Sequence, residues 1–149
     1  LALGDTGRLG RKGDSGFYRY EHGKERGIDD TIYTALSSEL SPQRPFSDKE
    51  IRQRLLAAMI NEAARVLEDE VVMSAQDVDL AMIMGTGFPP FRGGLLRFAD
   101  TLHPRGLLDT MKELHKVHGD RFKPAPVLQQ LATDDRTFYE AYPGSASRT

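Results

Sequence analysis

The stretch "FSDKEIRQRLLAAMINEAARVLEDEVV", residues 46–72, decides the fold. Ser47 followed three residues later by Glu50 is a capping box, in which each side chain satisfies an amide of the other residue at a helix start. Phe46 stands just before the cap, where it can staple against Ile51. Ile51, Leu55, Met59, Ala63 and Val66 recur at helical spacing, flanked by Leu56, Ile60 and Leu67. Two adjacent apolar stripes make a face wider than about 100°, so the spacing predicts a central helix over Asp48–Glu68. Of the two stripes, the one with Leu56, Ile60 and Leu67 is the candidate for a surface that meets another copy or a partner.

Helical signals continue downstream. Ser74 with Asp77 opens a second capped helix whose inner face is Val78, Ala81 and Met82, and which should stop at Gly85 in a left-handed conformation. "LLRFADTLH" reads as a short helix with Leu95, Phe98 and Leu102 inside. Pro104 sits in the first turn of the next helix, with Leu107, Leu108, Met111 and Leu114 inside and Gly119 at its end. "VLQQLA" makes a last short helix, and the tail from Pro143 should fray. Upstream, residues 1–27 carry many glycines and basic residues, with Gly16–Tyr20 as the strand-like piece. Ile28, Ile32, Leu36 and Leu40 place one narrow stripe on a helix behind Asp29 and Asp30. Ser41–Pro45 then breaks the chain. The expected fold is all-α, an irregular array of helices of unequal length.

Composition bounds the function. The chain has 149 residues, a net charge of −2 and no cysteine. That balance argues against a nucleic-acid binder, which concentrates positive charge. Lack of cysteine removes disulfides, thiolate catalysis and thiolate-held zinc, and fits a cytoplasmic location. No apolar run approaches the roughly 20 residues of a membrane span. The opening Leu1-Ala2-Leu3-Gly4, without methionine or a signal peptide, predicts a piece of a longer polypeptide.

Between the helices lies "GTGFPPFRGG", Gly85–Gly94. Gly85 should end a helix and Gly87 allow a close backbone approach. Pro89 and Pro90 stiffen the crossing and remove two N–H donors that a buried loop would have to satisfy. Gly93 and Gly94 let the next helix begin against its neighbour, and Phe88 and Phe91 are the expected buried anchors. Contact with a ligand or partner is the lesser reading of this loop.

Other polar residues have plain readings. His115 and His118 are three apart on a helix, but a metal site needs a third converging ligand. His103 reads as a surface residue at a helix end. Asp77 caps, and Asp79 is expected to pair with Arg54 or Arg97 rather than form an acid pair. Arg8, Arg11 and Lys12 could attract phosphates or lie in solvent; Gly10 and Gly13 beside them make no phosphate loop, since no GK[ST] follows. No GxGxxG follows a strand, so a dinucleotide fingerprint is missing.

The run Asn61–Glu68, then Ser74 with Asp77–Met82, then Gly85–Gly94 and Phe98–Thr101, resembles the C-terminal part of 3-hydroxyacyl-CoA dehydrogenases. The doubled proline and "FRGG" resemble in particular the multifunctional α-subunits of fatty-acid β-oxidation complexes. The resemblance covers about residues 7–131. It implies two copies of an all-helical unit, of the kind found at the C-terminus of 6-phosphogluconate dehydrogenase. Residues 1–27 would then be the tail of the first copy, 28–45 a helix and linker, 46–142 the second copy and 143–149 a flexible tail. The family's catalysis uses a histidine–glutamate pair on an NAD-binding domain and an asparagine on the first copy's long helix. At that asparagine's place in the second copy stands Gln53. The resemblance thus implies no catalytic, cofactor-binding or metal residue in this chain, with NAD held elsewhere in the parent enzyme. The partners it implies are the rest of the dehydrogenase, a thiolase subunit, or a second copy of the chain. A free-standing helical module that binds an acyl-CoA or a protein remains the alternative.

Overall fold

The computed structural model describes residues 5–36 and 45–144, and the chain divides into two compact units, Leu1–Pro45 and Phe46–Thr149.

In the first unit, strands β1 (Tyr18–Glu21) and β2 (Lys24–Ile28) form an antiparallel hairpin, followed by the one-turn helix α1 (Thr31–Ala35). His22 and Gly23 both have positive φ, 50° and 74°, as a tight two-residue hairpin turn requires. The second strand, "KERGI", is a correction to the sequence reading, since its charged residues carry no apolar alternation. Ile28 belongs to this strand and is exposed, so the expected helical stripe begins at Ile32, which is buried. Leu40 and Ser41–Arg44 lie outside the described residues. Asp29 organises the unit. It pairs with Arg8 at 2.9 Å and accepts from the Thr31 hydroxyl at 2.7 Å. The Thr31 hydroxyl, and then Arg8, hold its carboxyl below the usual range. Arg8 also donates to the Gly16 carbonyl at 3.0 Å. It is therefore a structural cation, and Arg11 lies over the Tyr20 ring at 6.0 Å.

The second unit is all-helical. It comprises α2 (Asp48–Glu68), α3 (Ala75–Thr86), α4 (Leu95–Asp100), α5 (Pro104–His118), α6 (Pro126–Asp134) and α7 (Phe138–Ala141). Short 3₁₀ turns at Pro90–Arg92 and Asp120–Phe122 link them. The capping box at Ser47 and Glu50 is complete, and α2 has the bounds the sequence predicts. α2 is central, and both stripes divide between core and surface. Ala57, Ile60, Ala64 and Leu67 are buried, with Ala63 of the first stripe buried as well, whereas Ile51 and Leu55 are exposed. Ile60 and Leu67 are thus core and cannot meet a partner, whereas Leu56 of the same candidate stripe is half-buried and lines open clefts. Small side chains at 57 and 64 let α4, α5 and α6 close on α2.

Leu95, Leu96, Leu107, Met111, Leu128, Leu131 and Phe138 complete this core. Burying each large side chain is worth about 1.5–3 kcal/mol. Leu102, expected inside, is 43% exposed, and Ala81 is exposed too. Asn61, fully buried on α2, donates to the Lys123 carbonyl at 2.9 Å and accepts from the Ala125 amide at 2.8 Å. It thereby fixes the approach to α6.

α7 escaped the sequence reading, although Thr137 and Glu140 form a second full capping box. Pro143 and Gly144 are half-buried; the rest of the tail lies outside the described residues.

Candidate functional site

The glycine–proline loop is held at both ends. α3 runs through Gly85 to Thr86, and its left-handed cap is Gly87 (φ 71°), two residues later than expected. No neighbour crowds Gly87, so its backbone conformation, not a close approach, calls for glycine. The amides of Gly87 and Phe88 bond to the carbonyls of Ile83 and Met82. Pro89 and Pro90 then lead into a 3₁₀ turn closed by Gly93. Phe88 is buried at 7% exposure, whereas Phe91 is 83% exposed. The loop therefore has one buried anchor, not two, and Phe91 with Arg92 stands on its outer side.

Gly94 has the strictest requirement. It is buried with φ 117°, and a Cβ there would lie 2.2 Å from Asp79 Cγ. The space it leaves lets the carboxylate of Asp79, from the middle of α3, reach the first turn of α4. Asp79 Oδ1 accepts from the Leu96 amide at 2.6 Å, and Oδ2 accepts from the Arg97 amide at 3.0 Å. Glycine at the cap position has no side chain to satisfy these amides, so Asp79 does so from another helix. Asp79 thus binds backbone, and the expected ion pair with Arg54 or Arg97 is replaced by this cap.

The network continues through α7. Asp100, the last residue of α4, accepts from the amides of Phe138 and Tyr139 at 2.8 and 3.2 Å. Tyr139 returns its hydroxyl to Asp79 at 2.8 Å. The circuit α3–α4–α7–α3 is closed, and the Arg97 guanidinium covers the Tyr139 ring at 3.5 Å. Burial pushes the Asp100 carboxyl above the usual range. Burial, then the bond to Asp79, pushes the Tyr139 phenol up to about 12. Both carboxylates and the phenol are engaged inside the fold, an arrangement suited to holding helices together. Neither Asp100 nor Tyr139 was singled out from sequence; the Thr137–Glu140 box was the signal that could have found them.

The remaining candidates are dispersed. Gln53, exposed on α2, opens onto a cleft of about 340 Å³ between α2, α4 and α5. Its lining includes Lys49, Arg52, Leu56, Phe98 and Leu102, and no histidine or carboxylate. A second cleft, about 440 Å³, adjoins it over Leu55, Met59, Phe88 and Arg92, sharing Arg52, Leu56 and Phe98. His115 Nδ1 lies 3.0 Å from the Gly119 carbonyl, and the His118 ring meets Phe122 at 5.8 Å. Both contacts lie at the end of α5, where Gly119 leaves helical geometry at φ 77°. His103 is exposed at the cap position of α5, as expected. Asp77 accepts from the Ser74 hydroxyl at 2.6 Å, while Ser74 accepts from the Asp77 amide.

Comparison with known proteins gives one consistent result. A family model described as 3-hydroxyacyl-CoA dehydrogenase, C-terminal domain, matches residues 51–141, the helical unit from the first turn of α2 to the last residue of α7. The chain is 41% identical over 135 residues to the fatty acid oxidation complex subunit alpha of Vibrio parahaemolyticus, a match taking in 91% of this chain and 19% of that protein. The subunit of the same name from Vibrio cholerae is 39% identical over 132 residues, 89% of this chain and 18% of that protein. That from Shewanella amazonensis is 38% identical over 134 residues, 89% and 19% respectively. The chain spans about a fifth of the length of the curated relatives it matches. Among the described residues no helix is long and apolar enough to cross a membrane.

Proposed function

The chain belongs to the family of 3-hydroxyacyl-CoA dehydrogenase C-terminal domains, and on that footing we propose that it serves as a non-catalytic helical domain of a larger β-oxidation dehydrogenase. In this role residues 46–142 are the second helical copy and residues 1–27 close the first. The domain docks on the catalytic half, and NAD is bound by that half.

One observation carries the reading: a large apolar surface on and beside α2 is uncovered. Ile51 is 46% exposed and Leu55 61%, and they line adjoining clefts with Phe46, Leu56, Met59 and Phe98. Contiguous apolar exposure of this kind marks a docking surface more often than a finished monomer surface. A free-standing module would be expected to close that surface. The polar network supports a holding role too, since Asp79, Asp100 and Tyr139 spend their bonds on one another and on helix ends. Gln53 opens onto a cleft without an acid or imidazole, so it has no proton-transfer partner there. On the same reading the thiolase subunit meets the assembled dehydrogenase.

The test is an assay of the purified chain with 3-hydroxybutyryl-CoA and NAD. No turnover is expected, and turnover that Gln53→Ala abolishes would overturn the proposal. A dye that fluoresces on apolar surfaces should bind the chain, and Leu55→Asp should weaken that binding.

A further inference from the structure

We infer that the first half of α2 receives an apolar segment flanked by carboxylates, and not a second copy of the same face; this rests on the docking role proposed above. Three clefts surround the first three turns of α2. Their charged lining residues are Lys49 and Arg52 in the first, Arg52 and Arg92 in the second, and Arg54 and Arg121 in the third. All five are cations, although the whole chain carries 22 acidic and 20 basic residues. The sign changes farther along α2, where the cleft over Met59, Val66 and Val78 has Glu62 as its charged lining residue.

The floor between the cations is apolar: Leu55, Leu56, Met59 and Phe98. The guanidinium groups are laid along it. Arg92 lies over Phe98 at 5.0 Å and over Phe91 at 5.7 Å, and Arg54 lies over Phe46 at 5.6 Å. Stacking of this kind leaves the edge of a guanidinium open to a carboxylate, which it can hold with two parallel bonds. The ion pair within reach of Arg52, to Asp48 at 3.8 Å, is exposed on both sides and therefore weak. A two-fold pairing of this face with itself would bring cations against cations, which disfavours the contact. An occupant with an apolar ridge between acidic edges satisfies both the floor and the rim.

The experiment uses the 149-residue chain and two labelled helical peptides of one length, each with the same leucine face. One peptide is flanked by glutamates and the other by lysines, and binding is read by fluorescence anisotropy. The glutamate peptide should bind at least about tenfold tighter in low salt, and the preference should shrink at about 0.5 M salt, where charges are screened within a few ångströms. The double variant Arg52→Glu/Arg92→Glu should reverse the preference, with its melting temperature as the control for folding. Equal binding of the two peptides overturns the inference and leaves the apolar docking face standing. Binding of neither overturns both. A tight homodimer in sedimentation equilibrium that Leu55→Asp dissociates also overturns the inference, because a second copy would then be the occupant.

Discussion

Ile60 and Leu55 sit on one helix, five positions apart, and meet opposite surroundings. Ile60 is 0% exposed and Leu55 is 61% exposed. Their hydrophobicity is similar, so hydrophobicity did not choose which turned inward. The neighbours did. Ile60 belongs to a row with Ala57, Ala64 and Leu67, and the two alanines leave room for other helices to close. Leu55 belongs to a row with Ile51 and Met59 whose side chains floor open clefts. The lesson is that a second apolar stripe reports a second contact, and the stripe with the smaller residues is the one closed within the domain.

The largest test of this contrast lies in the glycine–proline loop. Phe88→Ala should destabilise by about 3–5 kcal/mol, as a buried aromatic truncation does. Phe91→Ala should stay within about 0.5 kcal/mol, because an exposed side chain loses little on truncation. Chemical denaturation of both variants reads the difference. Equal losses would mean that the outer side of the loop is as closed as the inner.

On α2 itself the expected gap is somewhat smaller. Ile60→Ala should cost about 2–5 kcal/mol and Leu55→Ala should remain near the parent. A comparable loss at Leu55 would erase the distinction between the two rows. The contrast would sharpen if Leu55→Asp kept the melting temperature yet lost the glutamate peptide.

The polar circuit supplies the next test. Asp79→Ala leaves the amides of Leu96 and Arg97 and the Tyr139 hydroxyl without their acceptor. An orphaned buried polar group costs about 1–3 kcal/mol, so a loss in that range, with α4 more open to amide hydrogen exchange than α2, is expected. Uniform exchange across both helices would show that Asp79 is not α4's local cap.

How far the sequence carried the reading follows from the range of each interaction. The capping box, the bounds of α2 and the helix ending at Gly119 are local, and each was legible from residues within one turn. Asp79 was not, because its donors lie 17 and 18 residues away and belong to the backbone, which every sequence possesses. Gly94 gave half the signal: a glycine at a helix start says that something comes close, but not that it is a carboxylate. Phe88 and Phe91 look alike in sequence; Phe88 is buried before the 3₁₀ turn at Pro90–Arg92, and Phe91 lies within that turn and is exposed. The hairpin's second strand was hidden because "KERGI" is stabilised by pairing rather than by a buried face.

The smallest expected effect concerns Tyr139, whose hydroxyl closes the circuit on Asp79. Tyr139→Phe keeps the ring under Arg97 and removes one hydrogen bond, so it should cost about 1 kcal/mol near neutral pH. Its pH dependence gives the sharper reading. The phenol's folded pKa is about 12 against an ordinary 10.0. Over that interval the folded chain holds a proton that the unfolded chain has released, so stability falls as pH rises. Tyr139's contribution should therefore be intact below pH 10 and disappear as pH climbs through about 12. Other alkaline titrations act on parent and variant alike, so the difference in denaturation midpoint between them isolates this group. That difference should shrink steadily across the interval, while the tyrosinate absorbance of the parent gains one late-titrating step that Tyr139→Phe lacks. A difference that stays constant to the end of the interval, with no late-titrating step lost on Tyr139→Phe, would mean that the Asp79–Tyr139 link is not closed in solution. The circuit would then be a chain of two caps rather than a ring.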